Sequence, residues 1–215
     1  SKDYLLASDV LERAYVLSND SVTLSRYYTA LARAGETEKA DGVMAEWLRR
    51  NPTDSMAQLA FAGESERDGN LARAIEQYES VASREPKNVA VLVLLATAYH
   101  EKGDRRDLKT AQKAYELDPE DLFAKHLYAW LMVDTGLSER GAELLREVVD
   151  HRPENPTFRY HLAVALNDSG SAEQAKSVLK PLAASQLVYD EREEAEALMK
   201  KLGVERPAEK KQPAG

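Results

Sequence analysis

The sequence predicts an all-α fold, a right-handed α-solenoid of antiparallel helix pairs closed by a C-terminal capping helix. Three observations predict it. Gly35, Gly69, Gly103, Gly136 and Gly170 recur at intervals of 34, 34, 33 and 34 residues. Pro52, Pro86, Pro119 and Pro153 recur at 34, 33 and 34, with the same one-residue shortfall between Gly103 and Pro119. Between glycine and proline lie segments of helix length with apolar residues at helical spacing. Two ladders with one period mark a stacked repeat, in which each unit buries its apolar face only against its neighbours.

Each punctuating residue has a physical role. A glycine closes the first helix of a pair, where a left-handed residue turns the chain into the second. A proline follows the second helix, where it stops propagation and biases the preceding residue away from helix.

The elements follow in order. Residues 1–20 read as the second helix of a preceding, partial repeat, with Ala7, Leu11 and Ala14 on one face. Full repeats occupy 21–54, 55–88, 89–121, 122–155 and 156–189, the third one residue short. Eight residues before each glycine stands a bulky side chain: Tyr27, Phe61, Leu95, Tyr128, Leu162. Next to these come Tyr28, then Ala62, Ala96, Ala129 and Ala163, small residues that let helices approach closely. Five residues past the glycines lie Ala40, Ala74, Leu108, Gly141 and Ala175. Pro181, inside the second helix of the fifth repeat, predicts an early break or kink. Residues 190–203 form the capping helix, with Asp190 the expected cap, Glu193 completing a capping-box pattern, Lys200 and Lys201 at its negative end and Gly203 stopping it. The Pro/Lys/Glu-rich residues 204–215 read as a disordered tail.

This pattern resembles the tetratricopeptide repeat, with its period, its large/small alternation in the first helix and its terminal proline, over about residues 21–189. The resemblance implies a superhelix whose first helices line a concave groove and whose second helices form the convex side. The third repeat departs from it with Leu108 where alanine is usual, and the fifth lacks the terminal proline.

Bulk properties exclude several functions. A net charge of -8 offers no field for phosphates, so no nucleic-acid partner is expected. No stretch approaches the length of a membrane span, so contact with a membrane would run through an anchor outside this fragment. The absence of cysteine removes disulfides, thiolate metal sites and thiol catalysis together. The helical pattern starts at once after Ser1 with no signal peptide, which reads as a fragment of a longer protein. His100, His126, His151 and His161 show no metal-ligand spacing; a groove pair of His100 and His126 is the one arrangement that could take a metal, and ordinary surface histidines are the preferred reading. No phosphate loop, nucleophile elbow or dinucleotide fingerprint occurs, and the carboxylates fall on helix faces as solvated surface. No enzyme activity, cofactor or metal is expected.

Residues ten, six and three positions before each glycine share one stripe of the first helix. In the family that stripe faces the groove. It reads Ser25, Thr29, Ala32; Leu59, Gly63, Glu66; Val93, Thr97, His100; His126, Trp130, Val133; and Tyr160, Val164, Asn167. Its N-terminal half is small and weakly basic through Arg33 and Arg67. Its C-terminal half concentrates Phe123, His126, Trp130 and Tyr160, with Glu101, Asp134 and Asp168 nearby. The candidate partner-binding residues are therefore Arg67, Thr97, His100, Phe123, His126, Trp130, Tyr160 and Asn167. Aromatic rings with polar edges suit an extended peptide or a sugar chain, because they add contact area at low entropic cost. The alternative for Trp130 and Tyr160 is packing between adjacent repeats. The family's chaperone-type carboxylate clamp does not carry over, since Ser25, Thr29, Leu59 and Gly63 stand where it needs lysine and asparagine.

Over about residues 89–203 the words AYELDPED, RYHLAVALNDSG and EREEAEALMKKLG are similar to the C-terminal end of PEP-CTERM-system TPR-repeat lipoproteins of Gram-negative bacteria. That resemblance implies a lipid-anchored, periplasm-facing envelope protein linked to exopolysaccharide production, with the cytoplasm the alternative compartment. The expected function is a scaffold holding a protein or peptide segment in the groove. The alternatives are a polysaccharide-binding guide of an export apparatus and a regulatory arm of a larger enzyme.

Overall fold

The computed structural model describes residues 2–185 and 189–205. Among them are twelve α-helices and no strand: α1 (Lys2–Ser18), α2 (Ser21–Ala34), α3 (Thr37–Arg50), α4 (Ser55–Arg67), α5 (Leu71–Arg84), α6 (Val89–Lys102), α7 (Asp107–Leu117), α8 (Leu122–Asp134), α9 (Ser138–His151), α10 (Pro156–Asp168), α11 (Ala172–Ala183) and α12 (Arg192–Leu202). The fold class is the expected one. The chain divides into two compact units, Ser1–Thr110 and Ala111–Gly215. The division falls inside α7, in the repeat that is one residue short.

The first helices start on a third ladder, absent from the sequence reading. Asp20, Asp54, Asn88, Asp121 and Asn155 each accept, through the side chain, the backbone N–H of Thr23, Ala57, Val91, Ala124 and Phe158. Each cap satisfies an amide that the helix leaves without a partner, contributing about 1 kcal/mol. At the other end of α2, Gly35 takes φ 92° and returns its N–H to Ala32 and that of Glu36 to Leu31. A Cβ there would oppose the left-handed conformation that closes the helix.

In the N-terminal unit, Leu24, Tyr27, Tyr28, Leu31, Ala40, Met44 and Ala57 form one core cluster. Ala62, Ala74, Ile75, Tyr78, Leu95, Ala98 and Tyr99 form another. Helix α1 contributes Tyr15, stacked on Tyr27 and edge-on to Trp47, while its Leu6, Val10 and Leu17 stay exposed. In the C-terminal unit a single core spans α8 to α12, with Leu145, Val148, Leu166 and Leu179 sealed from solvent and Ala195 and Met199 brought in by α12. Full burial of such a side chain stabilises by about 1.5–3 kcal/mol. Helix α9 packs tightly on α8 at Gly141, where a Cβ would lie 2.6 Å from Val133 Cγ2 and 2.8 Å from the Ala129 carbonyl oxygen.

Two local expectations are corrected. The capping helix does not start on Asp190. Its N-cap is Glu191, whose carboxylate makes no capping bond and is drawn away to α10. Nor does Pro181 break α11 on the spot. The helix runs on to Ala183, because a proline removes only its own N–H bond to the preceding turn and leaves later ones intact. The helix is nevertheless 12 residues long against 14 in α3, α5 and α9. Most of the expected tail, from residue 206 on, lies outside the described residues.

Candidate functional site

In the C-terminal unit, α8 and α10 are successive first helices, each set in register by its cap. The period of 34 makes Tyr160 the counterpart of His126. His161, one residue on, falls on the flank of α10 that faces α8. There it becomes the centre of an aromatic cluster. The Trp130 indole stacks on the His161 ring at 3.7 Å between centroids and 8° between planes. His126 lies parallel to His161 at 4.9 Å and against Phe158 at 4.4 Å. Tyr160 is tilted on His161 at 5.6 Å, and Phe123 meets Phe158 edge-on at 6.4 Å.

Polar contacts fix the rings. His126 Nε2 and His161 Nδ1 are 2.8 Å apart, so one donates and the other accepts. His161 Nε2 faces Glu191 Oε1 at 3.6 Å. Glu191 also accepts from the Thr157 hydroxyl at 3.0 Å. Burial pushes the His126 imidazole down to about 4, so it is neutral at neutral pH. Tyr160 is lifted above its ordinary value by burial first, then by the carboxylates of Glu194 and Glu191, with Tyr189 and Asp168 adding to it.

His161 is therefore no surface histidine: it is 5% exposed. Its sequence signal is its place one step past the repeat-equivalent of His126, where neighbouring first helices touch. Phe158 and Glu191, likewise not singled out in the sequence, complete the cluster. Trp130 uses one face to pack on His161 of α10, the contact between adjacent repeats given as the alternative for it. Yet the Trp130 indole N–H and the Tyr160 hydroxyl, which take no partner among the described residues, still reach solvent. Phe123 is 66% exposed. Asn167, farther along α10, donates to Asp168 at 2.9 Å.

The remaining candidates lie in the N-terminal unit. Arg67 is bound to Glu64 at 2.6 Å and to Asp68 at 2.9 Å. His100 faces Asp107 at 3.2 Å, and Thr97 is half-buried on α6. Rings in this unit carry cations of their own: Arg73 over Phe61 at 4.6 Å, Arg106 over Tyr99 at 4.2 Å, Lys39 over Tyr27 at 5.6 Å and Arg33 over Tyr4 at 5.9 Å. Among the described residues no group of His, Asp and Glu is gathered to hold a metal ion, and no helix is long and apolar enough to cross a membrane.

Known proteins share this architecture. Family models described as tetratricopeptide repeat match residues 64–121 and 139–202. The cellulose synthase operon protein C of Komagataeibacter sucrofermentans is 28% identical over 127 residues, 57% of this chain and 10% of that protein. The cellulose synthase 1 operon protein C of Komagataeibacter xylinus is 27% identical over 141 residues, 64% of this chain and 11% of its own. The chain thus spans about a tenth of the length of these relatives. Among solved structures, a tetratricopeptide repeat protein from Parabacteroides merdae superposes with a TM-score of 0.71 at 14% identity, over 97% of this chain and 89% of its own. PilW, a type IV pilus biogenesis factor, gives 0.71 at 16% identity over 86% of both chains. YrrB, described as a TPR protein with an unusual peptide-binding site, gives 0.63 at 16% identity over 80% of this chain and 90% of that one. The chain is a tetratricopeptide-repeat protein, of a fold that is typically non-catalytic.

Proposed function

We propose that this tetratricopeptide-repeat chain is a non-catalytic scaffold of a bacterial envelope assembly concerned with exopolysaccharide, holding a protein segment along the first helices of its C-terminal unit. The observation that carries the reading is the aromatic cluster of α8 and α10. Trp130 is held rigid on His161, while its indole N–H, the Tyr160 hydroxyl and the Phe123 ring remain open to a partner. Rigid rings with free polar edges are the usual anchors of a peptide interface. The relatives named for cellulose synthase operons and the likeness to PEP-CTERM-system lipoproteins support the exopolysaccharide setting and a place in the periplasm, lipid-anchored through a part of the protein outside these residues. No nucleophile, base and orienting group stand together at the cluster, which favours holding over catalysis.

The test is affinity capture of partners from envelope extracts by the chain and by its Trp130→Ala and Tyr160→Ala variants. The expected result is loss of the captured protein with both variants. Capture unchanged by both would remove the cluster from the function.

A second reading has its own support. Carboxylates beside open rings suit a sugar chain, and the curated relatives are named for a polysaccharide synthase operon. In that reading the chain guides polysaccharide along an export path. Saturable quenching of tryptophan fluorescence by millimolar oligosaccharide would favour it, and a flat titration would discard it.

A further inference from the structure

Resting on the scaffold reading, we infer that the aromatic cluster of α8 and α10 receives a basic polypeptide segment, a lysine or arginine side chain seated over its open rings.

The inference comes from a contrast between the two units. In the N-terminal unit, Tyr4, Tyr27, Phe61 and Tyr99 each have an arginine or lysine over the ring, at 4.2 to 5.9 Å. The C-terminal unit holds the larger aromatic cluster, yet among the described residues no lysine or arginine lies over Phe123, Trp130 or Tyr160. The cations of α8 and α10 are engaged elsewhere. Lys125, only 6% exposed, is bound to Glu147 of α9 at 2.7 Å, and Arg159 donates to the Pro153 carbonyl oxygen. Nor does His126 add a charge at neutral pH, since burial of its imidazole holds it down to about 4.

Around this ring surface the charges are negative. Glu191 and Glu194 lie at the start of α12 and Asp168 at the end of α10, all close enough to Tyr160 to act on its hydroxyl. Glu191 is half-buried and held by Thr157 and His161. A cation over Tyr160 and Trp130 would gain the ring quadrupoles and these carboxylates together, and it would be less exposed to water than at an open surface. An acidic segment would meet repulsion from the same carboxylates. The flanking Phe123 ring, 66% exposed, offers an apolar side chain of the same segment its contact. Complementary charge thus selects a basic, partly apolar peptide over an acidic one.

The experiment uses the whole chain and a short extended peptide with lysines between leucines, with versions carrying glutamine or glutamate in place of lysine. Calorimetry gives affinity. The indole N–H signals of the two tryptophans give location, with Trp130→Phe assigning them. The expected result is a shift of the Trp130 signal, binding about tenfold weaker for the glutamine peptide and weaker again for the glutamate one, and loss of affinity as salt rises. Glu194→Gln and Asp168→Asn, both at exposed positions, should weaken the lysine peptide several-fold without changing thermal stability. Equal affinity for all three peptides would overturn the charge selection while leaving the scaffold reading intact. Binding of a glucosamine oligomer in place of any peptide would overturn it in favour of a glycan. Affinity rising about tenfold when Arg206, Lys210 and Lys211 are changed to alanine would make the chain's own C-terminal segment the occupant and overturn it too. No shift of Trp130 with any ligand would remove both readings.

Discussion

His126 and His161 lie with their rings parallel to within 2° and share one hydrogen across 2.8 Å. The pair ties α8 to α10 and leaves His126 with a folded-state value of about 4 against 6.5 for the free side chain. Between those values the unfolded chain takes up a proton that the folded chain refuses, so stability rises with pH across that window. The contribution is complete above about 6.5 and is lost as pH falls toward 4, by on the order of 1 kcal/mol per pH unit. His126→Phe keeps a ring against Phe158 but removes the titration. Urea unfolding at about pH 7 and about pH 5 should show the native chain losing more stability than the variant. Equal losses would mean that His126 titrates normally.

Gly141 and Gly63 are both helical, and alanine should act on them in opposite directions. At Gly141 the new methyl would press on Val133 and the Ala129 carbonyl, at 2.6 and 2.8 Å. The helices must part, and Gly141→Ala should cost about 1–3 kcal/mol despite the better helix propensity of alanine. At Gly63 a Cβ meets nothing within 4 Å. Gly63→Ala should therefore raise stability by up to about 1 kcal/mol. Thermal unfolding of the two variants separates these effects, and a stabilised Gly141→Ala would show that the close approach of α8 and α9 is not tight.

The repeat architecture was legible because its signals are local. A left-handed glycine such as Gly35 and a proline such as Pro52 are needed wherever a helix ends, whatever packs around it. The cap ladder of Asp20, Asp54, Asn88, Asp121 and Asn155 was equally local and could have been read from its spacing. The site was only half legible. The helical stripe put Trp130 and Tyr160 on one face of successive first helices, and both rings pack against His161, but His161 itself is placed by contact between helices. Stripe positions record which residues share a face of one helix, not which neighbour a flanking side chain meets. Glu191 was hidden for a related reason. Its position marks a helix start, where a carboxylate commonly caps, and only the nearness of Thr157 and His161 draws it away.

Arg67 shows the converse, a candidate whose charge is already engaged. Glu64, with a side chain only 6% exposed, binds both Arg33 at 3.1 Å and Arg67 at 2.6 Å, while the two arginines remain 43% and 44% exposed. Removing the carboxylate leaves two like charges facing each other at its place. Removing one arginine leaves the carboxylate still paired. Glu64→Ala should cost about 2 kcal/mol and Arg67→Ala less than about 1 kcal/mol. Chemical denaturation of both variants checks the order, and a larger loss for Arg67→Ala would reverse the account.

Glu191 fastens α12 to α10 from a position where it contributes nothing as a cap. Its carboxylate takes the Thr157 hydroxyl at 3.0 Å and stands 3.6 Å from His161 Nε2. Because no capping bond is lost, Glu191→Ala should leave the intrinsic helicity of α12 nearly unchanged and loosen only its docking. Amide exchange across Arg192–Leu202 should quicken about threefold to tenfold, with α9 unaffected. Glu191→Gln keeps an acceptor for Thr157 but loses the charge beside His161, so it should fall between the two. If alanine and glutamine quicken exchange alike, the charged contact of the Glu191 carboxylate with His161 carries the fastening. If neither does, the apolar contacts of Ala195 and Met199 hold α12 alone.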